Sequence, residues 1–158
     1  MFELAGQRHA IDAGVVRELV LAVSVVPLPR APEIVEGIID VRGTLVPVLD
    51  LRRRFALPPR PPHHADHLIL ARAGERPVAL RCDRATGLLR LAPGQIEDVR
   101  RAVPGAGHLA GVTRLPDGLV LIHDLRTFLS LDEGAALDGA LADAAPSDSP
   151  SPRWEGTT

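Results

Sequence analysis

The sequence predicts an all-β protein, a barrel or a sandwich, on three observations. Short runs rich in Val, Ile and Leu recur along the chain, most of them four to eight residues long and bounded by Gly, Pro or Asp. The 15 prolines and 14 glycines among 158 residues suit strands and turns better than a helical bundle. Segments of helical composition are few, which disfavours alternating β–α–β units.

These apolar runs predict ten strands joined by tight, glycine-containing turns, with a few short helices. The strands are expected at 2–5, 9–12, 18–25, 37–41, 45–49, 67–72, 77–82, 87–91, 109–114 and 119–123. Short helices are expected at 32–36, at 93–98, and after Asp50 and Asp124, which are placed to cap them. The composition of 125–131 and 135–141 predicts a C-terminal helix.

A repeat is the most informative internal feature. Residues 37–52 and 111–126 align without a gap, sharing Gly, Leu, Val, Asp, Leu and Arg, and each reads as a hairpin followed by Asp-Leu-Arg. A hairpin used twice predicts two similar lobes related by pseudo-symmetry, unless two aliphatic hairpins coincide by chance. We expect one domain over 1–142, interrupted by a stiff proline-rich loop at 58–66, and a disordered Pro/Ser-rich tail at 143–158.

Composition excludes several function classes. All 18 basic residues are arginine and tyrosine is absent, which rules out a lysine Schiff base, a P-loop lysine and a tyrosine acid. A net charge of −2 and four aromatic residues argue against nucleic-acid binding. The single cysteine, Cys82, lies in an apolar stretch that predicts a buried residue. Without a signal peptide or an apolar run long enough to span a bilayer, the chain is expected to be cytoplasmic.

Two side-chain groups are candidates for chemistry or for a specific contact. His63, His64 and His67 could bind a transition metal, although histidines after a polyproline stretch more often belong to a solvated loop. Glu18 lies inside an apolar strand and needs an edge position or a partner, for which the turn residue Arg42 is a candidate. The alternative is two independently solvated charges. No set of residues assembles a nucleophile, a base and oxyanion donors, so an enzyme is not expected.

The assembled segments resemble the CheW family of chemotaxis adaptor proteins. The most specific match, 35–52, reads Val-Glu-Gly-Ile-Ile-Asp-Val-Arg-Gly-Thr-Leu-Val-Pro-Val-Leu-Asp-Leu-Arg, close to the family pattern G-[VI]-x-N-L-R-G-x-[VI]-[VI]-P-V-[VIL]-D-L-R. Residues 15–19 are similar to the family's V-x-E-[IV] segment, and the likeness extends over 2–131. Asp40 and Val41 depart from the pattern, which has Asn-Leu there.

This resemblance implies two SH3-like five-stranded β-barrel lobes packed together, with short helices and a C-terminal helix. It implies a non-catalytic scaffold, without metal or other cofactor, that couples the cytoplasmic tips of methyl-accepting chemoreceptors to a CheA-type histidine autokinase. Membrane insertion is not implied. Carried over by position, the receptor-binding residues are Val16, Glu18, Arg42, Ala85 and Leu88. Gly37 and Gly43 mark the kinase-binding side, with simple turn geometry as the alternative explanation for Gly37.

Three alternatives stay open at this point. A CheW-like adaptor could serve a non-chemotaxis pathway, such as one controlling twitching motility or a second messenger. A metal-dependent enzyme would be built on the cluster of His63, His64 and His67. A fragment of a larger kinase with a module of the same fold is disfavoured, because Met1 directly precedes the first predicted hairpin.

Overall fold

The structure is a computed structural model in which residues 1–99 and 107–145 are described. Ten strands and two α-helices form in this part of the chain, together with 3-10 turns at Ala13–Val15 and Leu125–Thr127. The elements are β1 Phe2–Leu4, β2 Gln7–Ala10, β3 Val16–Leu21, β4 Val35–Val41, β5 Thr44–Asp50, α1 Leu51–Arg54, β6 His67–Ala73, β7 Arg76–Cys82, β8 Arg84–Ala85, β9 Leu109–Leu115, β10 Gly118–His123 and α2 Leu131–Ala144.

The strands form two five-stranded sheets, here called lobe 1 and lobe 2. Lobe 1 has the order β8-β1-β2-β10-β9, and lobe 2 has the order β3-β6-β7-β5-β4. The repeated hairpins occupy matching places: β9–β10 in lobe 1 and β4–β5 in lobe 2 each pair in parallel with a central strand, β2 or β7. The predicted pair of similar lobes is therefore present, and lobe 2 is inserted between β2 and β8 of lobe 1.

In each lobe, an isolated β-bridge joins a segment beyond one edge strand to the edge strand on the other side of the sheet. Val26, beyond the end of β3, pairs with Ile38 of β4, and Glu97, beyond β8, pairs with Val112 of β9. In each lobe the segment that leaves one edge strand thus reaches the opposite edge strand. The two sheets fit the SH3-like lobes that the sequence resemblance implied.

The core has two apolar clusters, one inside lobe 2 and one between the lobes, because β6 is buried on both of its faces. Leu68 and Leu70 point into lobe 2 with Ile39, Val46, Val48 and Ala79. Ile69 and Ala71, on the other face of β6, join a cluster that includes Phe2 and Leu4 of lobe 1, Phe128, and Leu137 of α2. The alternation of strand side chains explains this division, and it makes the second cluster a core shared by both lobes.

Helix caps follow the predicted pattern. The Asp50 carboxylate accepts hydrogen bonds from the backbone N–H groups of Arg52 and Arg53, and the Asp124 carboxylate accepts one from Arg126. α2 begins later than its composition suggested because Ser130 and Glu133 form a capping box that fixes its first turn. α2 ends at Ala144, and most of the expected tail, 146–158, lies outside the described residues.

Three sequence predictions are wrong. Residues 87–91 form no strand, since Gly87 takes a φ of +123° after β8 and its carbonyl accepts a hydrogen bond from the Met1 amino group. No helix forms at 32–36, where Val35 already belongs to β4, or at 93–98, where Gly94 takes a φ of +88°. The composition of these three segments favours a strand or a helix, but the chain forms turns or irregular backbone there instead.

Candidate interaction surface

Glu18 of the edge strand β3 and Arg42 of the turn after β4 form an ion pair in lobe 2. The Arg42 guanidinium donates to Glu18 Oε2 at 3.2 Å, with the Glu18 side chain 39% exposed and the Arg42 side chain 75% exposed. The predicted partnership is therefore present, and the two charges are not independently solvated. At this exposure the pair contributes little to stability, so its value lies in presenting two charges in a fixed relationship.

The turn that carries Arg42 is a tight two-residue connection between β4 and β5. Val41 pairs with Thr44, leaving Arg42 and Gly43 in the turn with φ of +52° and +85°. The Gly43 N–H donates to the Asp40 carboxylate at 2.7 Å, which fixes the turn from one side. Positive φ is unfavourable for an arginine, so the turn holds Arg42 in a conformation that its backbone alone would not choose.

One face of β3 continues the face of β6 that packs in the core shared by the two lobes. Paired strand residues lie on the same face, and Val16, Leu19 and Leu21 pair with Ala71, Ile69 and His67 of β6. Ala71 and Ile69 are covered in the shared core, whereas Leu19 is 53% and Leu21 is 65% exposed. The core shared with lobe 1 therefore buries this face of the sheet along β6, whereas the same face of β3 is exposed to solvent.

β8 of lobe 1 lies against the beginning of β6, beside this exposed face of β3. The Ala85 backbone N–H donates to His67 Nδ1 at 2.9 Å, which holds β8 against the beginning of β6. Three residues later, Leu88 is 79% exposed. We define the inter-lobe groove by Val16, Leu19 and Leu21 on its floor and Ala85 on its wall.

The predicted receptor-binding residues fall into two groups in the structure. Val16 and Ala85 line the inter-lobe groove, and Leu88 follows its wall. Glu18 lies on the opposite face of β3, paired with Leu70 of the lobe 2 interior, and it meets Arg42 there. The Glu18–Arg42 ion pair therefore lies at the edge of β3, outside the inter-lobe groove.

Sequence reasoning missed Leu19 and Leu21 as surface residues. Each stood inside a predicted apolar strand, where burial is the ordinary expectation. The available signal was the charged neighbours Arg17 and Glu18, which mark an edge strand. Composition could not show which strand of the sheet lobe 1 leaves uncovered.

Gly37 and Gly43 occupy different environments. Gly43 takes a positive φ in the exposed turn beside Arg42. Gly37 is buried in the middle of β4, without a positive φ, where a Cβ atom would overlap the carbonyl oxygen of Val26. Turn geometry therefore does not explain Gly37, and close approach of two backbones does. Its counterpart Gly111 has the same role, since a Cβ there would lie 2.8 Å from the carbonyl oxygen of Glu97.

Of the three clustered histidines, His63 and His64 lie in the proline-rich loop and His67 begins β6. His63 Nδ1 accepts a hydrogen bond from the Ala65 N–H at 3.1 Å, and His67 Nδ1 accepts one from Ala85. The rings of His63 and His64 lie near each other with centroids 4.1 Å apart. No group of three or more His, Cys, Asp or Glu in 1–99 and 107–145 is arranged to hold a metal ion.

A second set of histidines joins the lobes at a buried aromatic stack. Phe55, following α1 of lobe 2, stacks on His9 at 5.0 Å and on His123 at 4.3 Å between ring centroids, both in lobe 1. His9 Nδ1 and His123 Nε2 share a 2.8 Å hydrogen bond. Burial lowers the pKa of His9 to about 4 and that of His123 to about 3, so both rings are neutral at pH 7.

Ion pairs also fasten the proline-rich loop across the lobe junction. Arg60 donates to Asp66 at 2.7 Å and to Asp83 at 2.6 Å, and Arg52 donates to Asp83 at 2.7 Å. Asp83 connects β7 of lobe 2 to β8 of lobe 1, and its carboxylate also accepts the Ala5 N–H. Burial raises the pKa of Asp83, but the hydrogen bonds from Arg60, Arg52 and the Ala5 N–H together outweigh it and hold that pKa below its usual range.

Cys82 is buried, as predicted, and burial raises the pKa of its thiol to about 12. A thiol of this kind is a packing residue and not a nucleophile. In the part of the chain that the structure describes, no helix is long and apolar enough to cross a membrane.

Comparison with known families gives one match over most of the chain. A family model described as a CheW-like domain matches residues 1–133. Two similar proteins are the chemotaxis protein CheW of Treponema pallidum, 24% identical over 84% of this chain and 81% of that protein, and that of Klebsiella aerogenes, 26% identical over 87% of this chain and 84% of that protein.

A solved structure supports the same relationship at the level of the fold. The scaffolding protein TtCheW from Thermoanaerobacter tengcongensis superposes with a TM-score of 0.77 and 26% sequence identity, covering 84% of this chain and 91% of that one. Most of this chain therefore shares its fold with that scaffolding protein.

Proposed function

From the premise that this chain belongs to the CheW-like domain family, we propose that it is a non-catalytic adaptor of chemotaxis signalling. It would link the cytoplasmic tip of a chemoreceptor to a CheA-type histidine kinase, working in the cytoplasm beside membrane receptor arrays. The observation that carries this proposal is an apolar strand face left open between two lobes that are otherwise packed together.

The inter-lobe groove suits a helical partner. Its floor presents Leu19 and Leu21 two positions apart along β3, and a strand of six residues spans about 20 Å. That length accommodates about three to four helical turns at 5.4 Å each. A helical hairpin that lays an apolar stripe on these leucines would bury surface that now costs solvation free energy, which is the helix-in-groove mode of recognition.

The Glu18–Arg42 pair would set the register of this partner. Glu18 lies on the other face of the edge strand β3, so a helix that extends from the groove floor past this edge would come within reach of both charges. Charged groups at the rim contribute specificity and association rate more than affinity. Val16, Ala85 and Leu88 would add apolar contact along the same side.

For the kinase we propose the end of lobe 2 around the β4–β5 turn, where Gly43 is exposed. Gly37 lies farther along β4, paired with Val48 and buried, so it would act indirectly, by letting the Val26 segment lie close to β4. Whether the kinase belongs to a chemotaxis pathway or to another chemosensory pathway depends on the identity of the captured kinase.

The test measures binding of the purified protein to a cytoplasmic tip fragment of its cognate chemoreceptor and, separately, to the regulatory domain of its cognate kinase. We expect binding to both at micromolar concentration. The variants Leu19→Ser and Leu21→Ser should each weaken receptor binding by about tenfold, in line with the loss of a buried leucine contact, and leave kinase binding unchanged. Arg42→Asp should also weaken receptor binding while the fold is retained.

The matched control is Leu131→Ser. Leu131 is 95% exposed at the beginning of α2, away from the groove, so this change alters surface apolarity without touching the floor. Binding to neither partner at tens of micromolar protein would overturn the proposed function. Equal losses for Leu131→Ser and Leu19→Ser would show that the groove is placed wrongly.

A further inference from the structure

Arg17 is an exposed cation that forms no ion pair with a carboxylate of residues 1–99 or 107–145, where most arginines are paired. Of the 15 arginines within 1–99 and 107–145, all but Arg17 and Arg90 form an ion pair with a carboxylate. Arg17 belongs to β3, the strand that forms the groove floor. Among the described residues, no carboxylate neutralises this cation, which lies next to the exposed leucines of β3.

The backbone at Arg17 departs from regular pairing. The register of β3 against β6 shifts between Val16, which pairs with Ala71, and Glu18, which pairs with Leu70, so Arg17 has no residue opposite it. An irregularity of this kind in an edge strand bends the strand and redirects a side chain. The nearest residues across the strand are aliphatic, and the neighbouring carboxylate of Glu18 is engaged with Arg42.

We infer that Arg17 is a specificity-determining residue of the inter-lobe groove, which recognises an acidic side chain on the partner helix. This inference rests on the proposed function. The partner it requires is an amphipathic helix whose apolar stripe covers Leu19 and Leu21 and whose flank carries an Asp or Glu at the height of Arg17. A cation between two apolar floor residues, Val16 and Leu19, becomes partly desolvated when the groove is occupied, which strengthens its attraction for a carboxylate.

The same surface would discriminate against other helices. A helix with a lysine or arginine at that height would place like charges together without a compensating group, and a helix with an apolar residue there would leave Arg17 desolvated and unpaired. Arg17 thus gives this adaptor a means to prefer one receptor type over others that share the apolar stripe.

The experiment measures the Kd of the full-length protein for its cognate chemoreceptor tip fragment at low and high salt. Arg17→Gln should weaken binding three- to fivefold at low salt and flatten the salt dependence, and Arg17→Glu should weaken it at least tenfold. Arg30→Glu is the control, because Arg30 is an 84% exposed arginine in the loop between β3 and β4, with a weak 3.6 Å ion pair to Asp143 of α2. It should change the Kd by less than twofold.

Charge reversal on the fragment identifies the partner residue. Replacing the acidic residues of the tip fragment by arginine one at a time should yield one variant that binds Arg17→Glu better than it binds the unchanged protein. If the unchanged protein binds while Arg17→Gln and Arg17→Glu bind equally well, Arg17 has no such role and the proposed function survives. If the unchanged protein fails to bind, the proposed function fails and this inference fails with it.

Discussion

The carbonyl group of Val26 lies directly over Gly37, leaving no room for a side chain between the segment beyond β3 and strand β4. The Val26 N–H donates to the Ile38 carbonyl at 2.9 Å and the Ile38 N–H donates back at 2.8 Å. Closure of lobe 2 therefore depends on two hydrogen bonds and on a residue without a Cβ. The same arrangement at Gly111 makes this a property of both lobes.

Replacing Gly37 by alanine should destabilise the protein by about 2–3 kcal/mol, because the new methyl group overlaps backbone that cannot move without breaking the bridge. Urea denaturation of the purified variant measures this loss. Gly139→Ala is the matched control: Gly139 lies in α2, where an added methyl group would meet nothing within 4 Å, and alanine should raise stability by about 0.5–1 kcal/mol there. Equal stability of Gly37→Ala and the unchanged protein would contradict the close-packing explanation.

We expect Arg42 to be needed for receptor binding although its positive φ lowers the stability of the β4–β5 turn. Asparagine tolerates positive φ better than arginine, so Arg42→Asn should leave the free energy of unfolding unchanged or raise it by about 0.5 kcal/mol. The same variant should weaken receptor binding severalfold, since the charge facing Glu18 is lost. Parallel urea melts and binding titrations measure both effects. A variant that is less stable and binds normally would show that Arg42 serves the turn and not the partner.

The sequence predicted the repeated hairpins and their caps but not the contacts between distant strands. The repeated hairpins and the caps Asp50 and Asp124 depend on residues close together in the chain, and the structure has all of them. The parallel pairing of β2 with β10 joins segments more than a hundred residues apart, for which no local pattern exists. The exposure of Leu19 and Leu21 also depends on distant segments, because it is set by how far lobe 1 extends over the face formed by β3 and β6.

The aromatic stack shows a similar limit. His9, His108 and His123 looked scattered along the sequence, and only the parallel pairing of β2 and β10 brings His9 opposite Leu121, close to His123. Phe55 then reaches them from the other lobe. By contrast, the histidines adjacent in sequence, His63 and His64, remain exposed in the loop. Proximity in the chain was a poor guide to which imidazoles act together.

Removing the buried carboxylate of Asp66 should loosen the proline-rich loop. Asp66 accepts hydrogen bonds from Arg60 and from the His63 N–H, and its side chain is 3% exposed. Asp66→Ala should cost about 1–3 kcal/mol, since Arg60 and the His63 N–H lose a buried acceptor while Arg60 and Arg81 keep Asp83 and Glu36 as counter-charges. Hydrogen exchange should quicken at 63–66 first. The control Glu75→Ala removes a fully exposed ion-pair partner and should cost less than about 0.5 kcal/mol. Equal costs would contradict this role of Asp66.

Acid should weaken the junction between the lobes through the two buried histidines. The folded protein holds the pKa of His9 at about 4 and that of His123 at about 3, whereas an unfolded chain has imidazoles near pKa 6.5. The unfolded state therefore binds more protons below about pH 6.5. The free energy of unfolding should fall as pH decreases from there toward 4, by at most about 1.4 kcal/mol per pH unit for each histidine, and should depend little on these residues above pH 7.

Imidazole ¹⁵N chemical shifts measure this directly in the folded protein. His9 and His123 should remain neutral at pH 5, with one nitrogen of each ring sharing the 2.8 Å hydrogen bond. Urea melts at pH 7.5, 6 and 5 should show the accompanying loss of stability, and the exposed His64→Gln variant should follow the same curve as the unchanged protein. Protonation of either buried ring at pH 6 would mean that Phe55 and its neighbours do not exclude water from the stack.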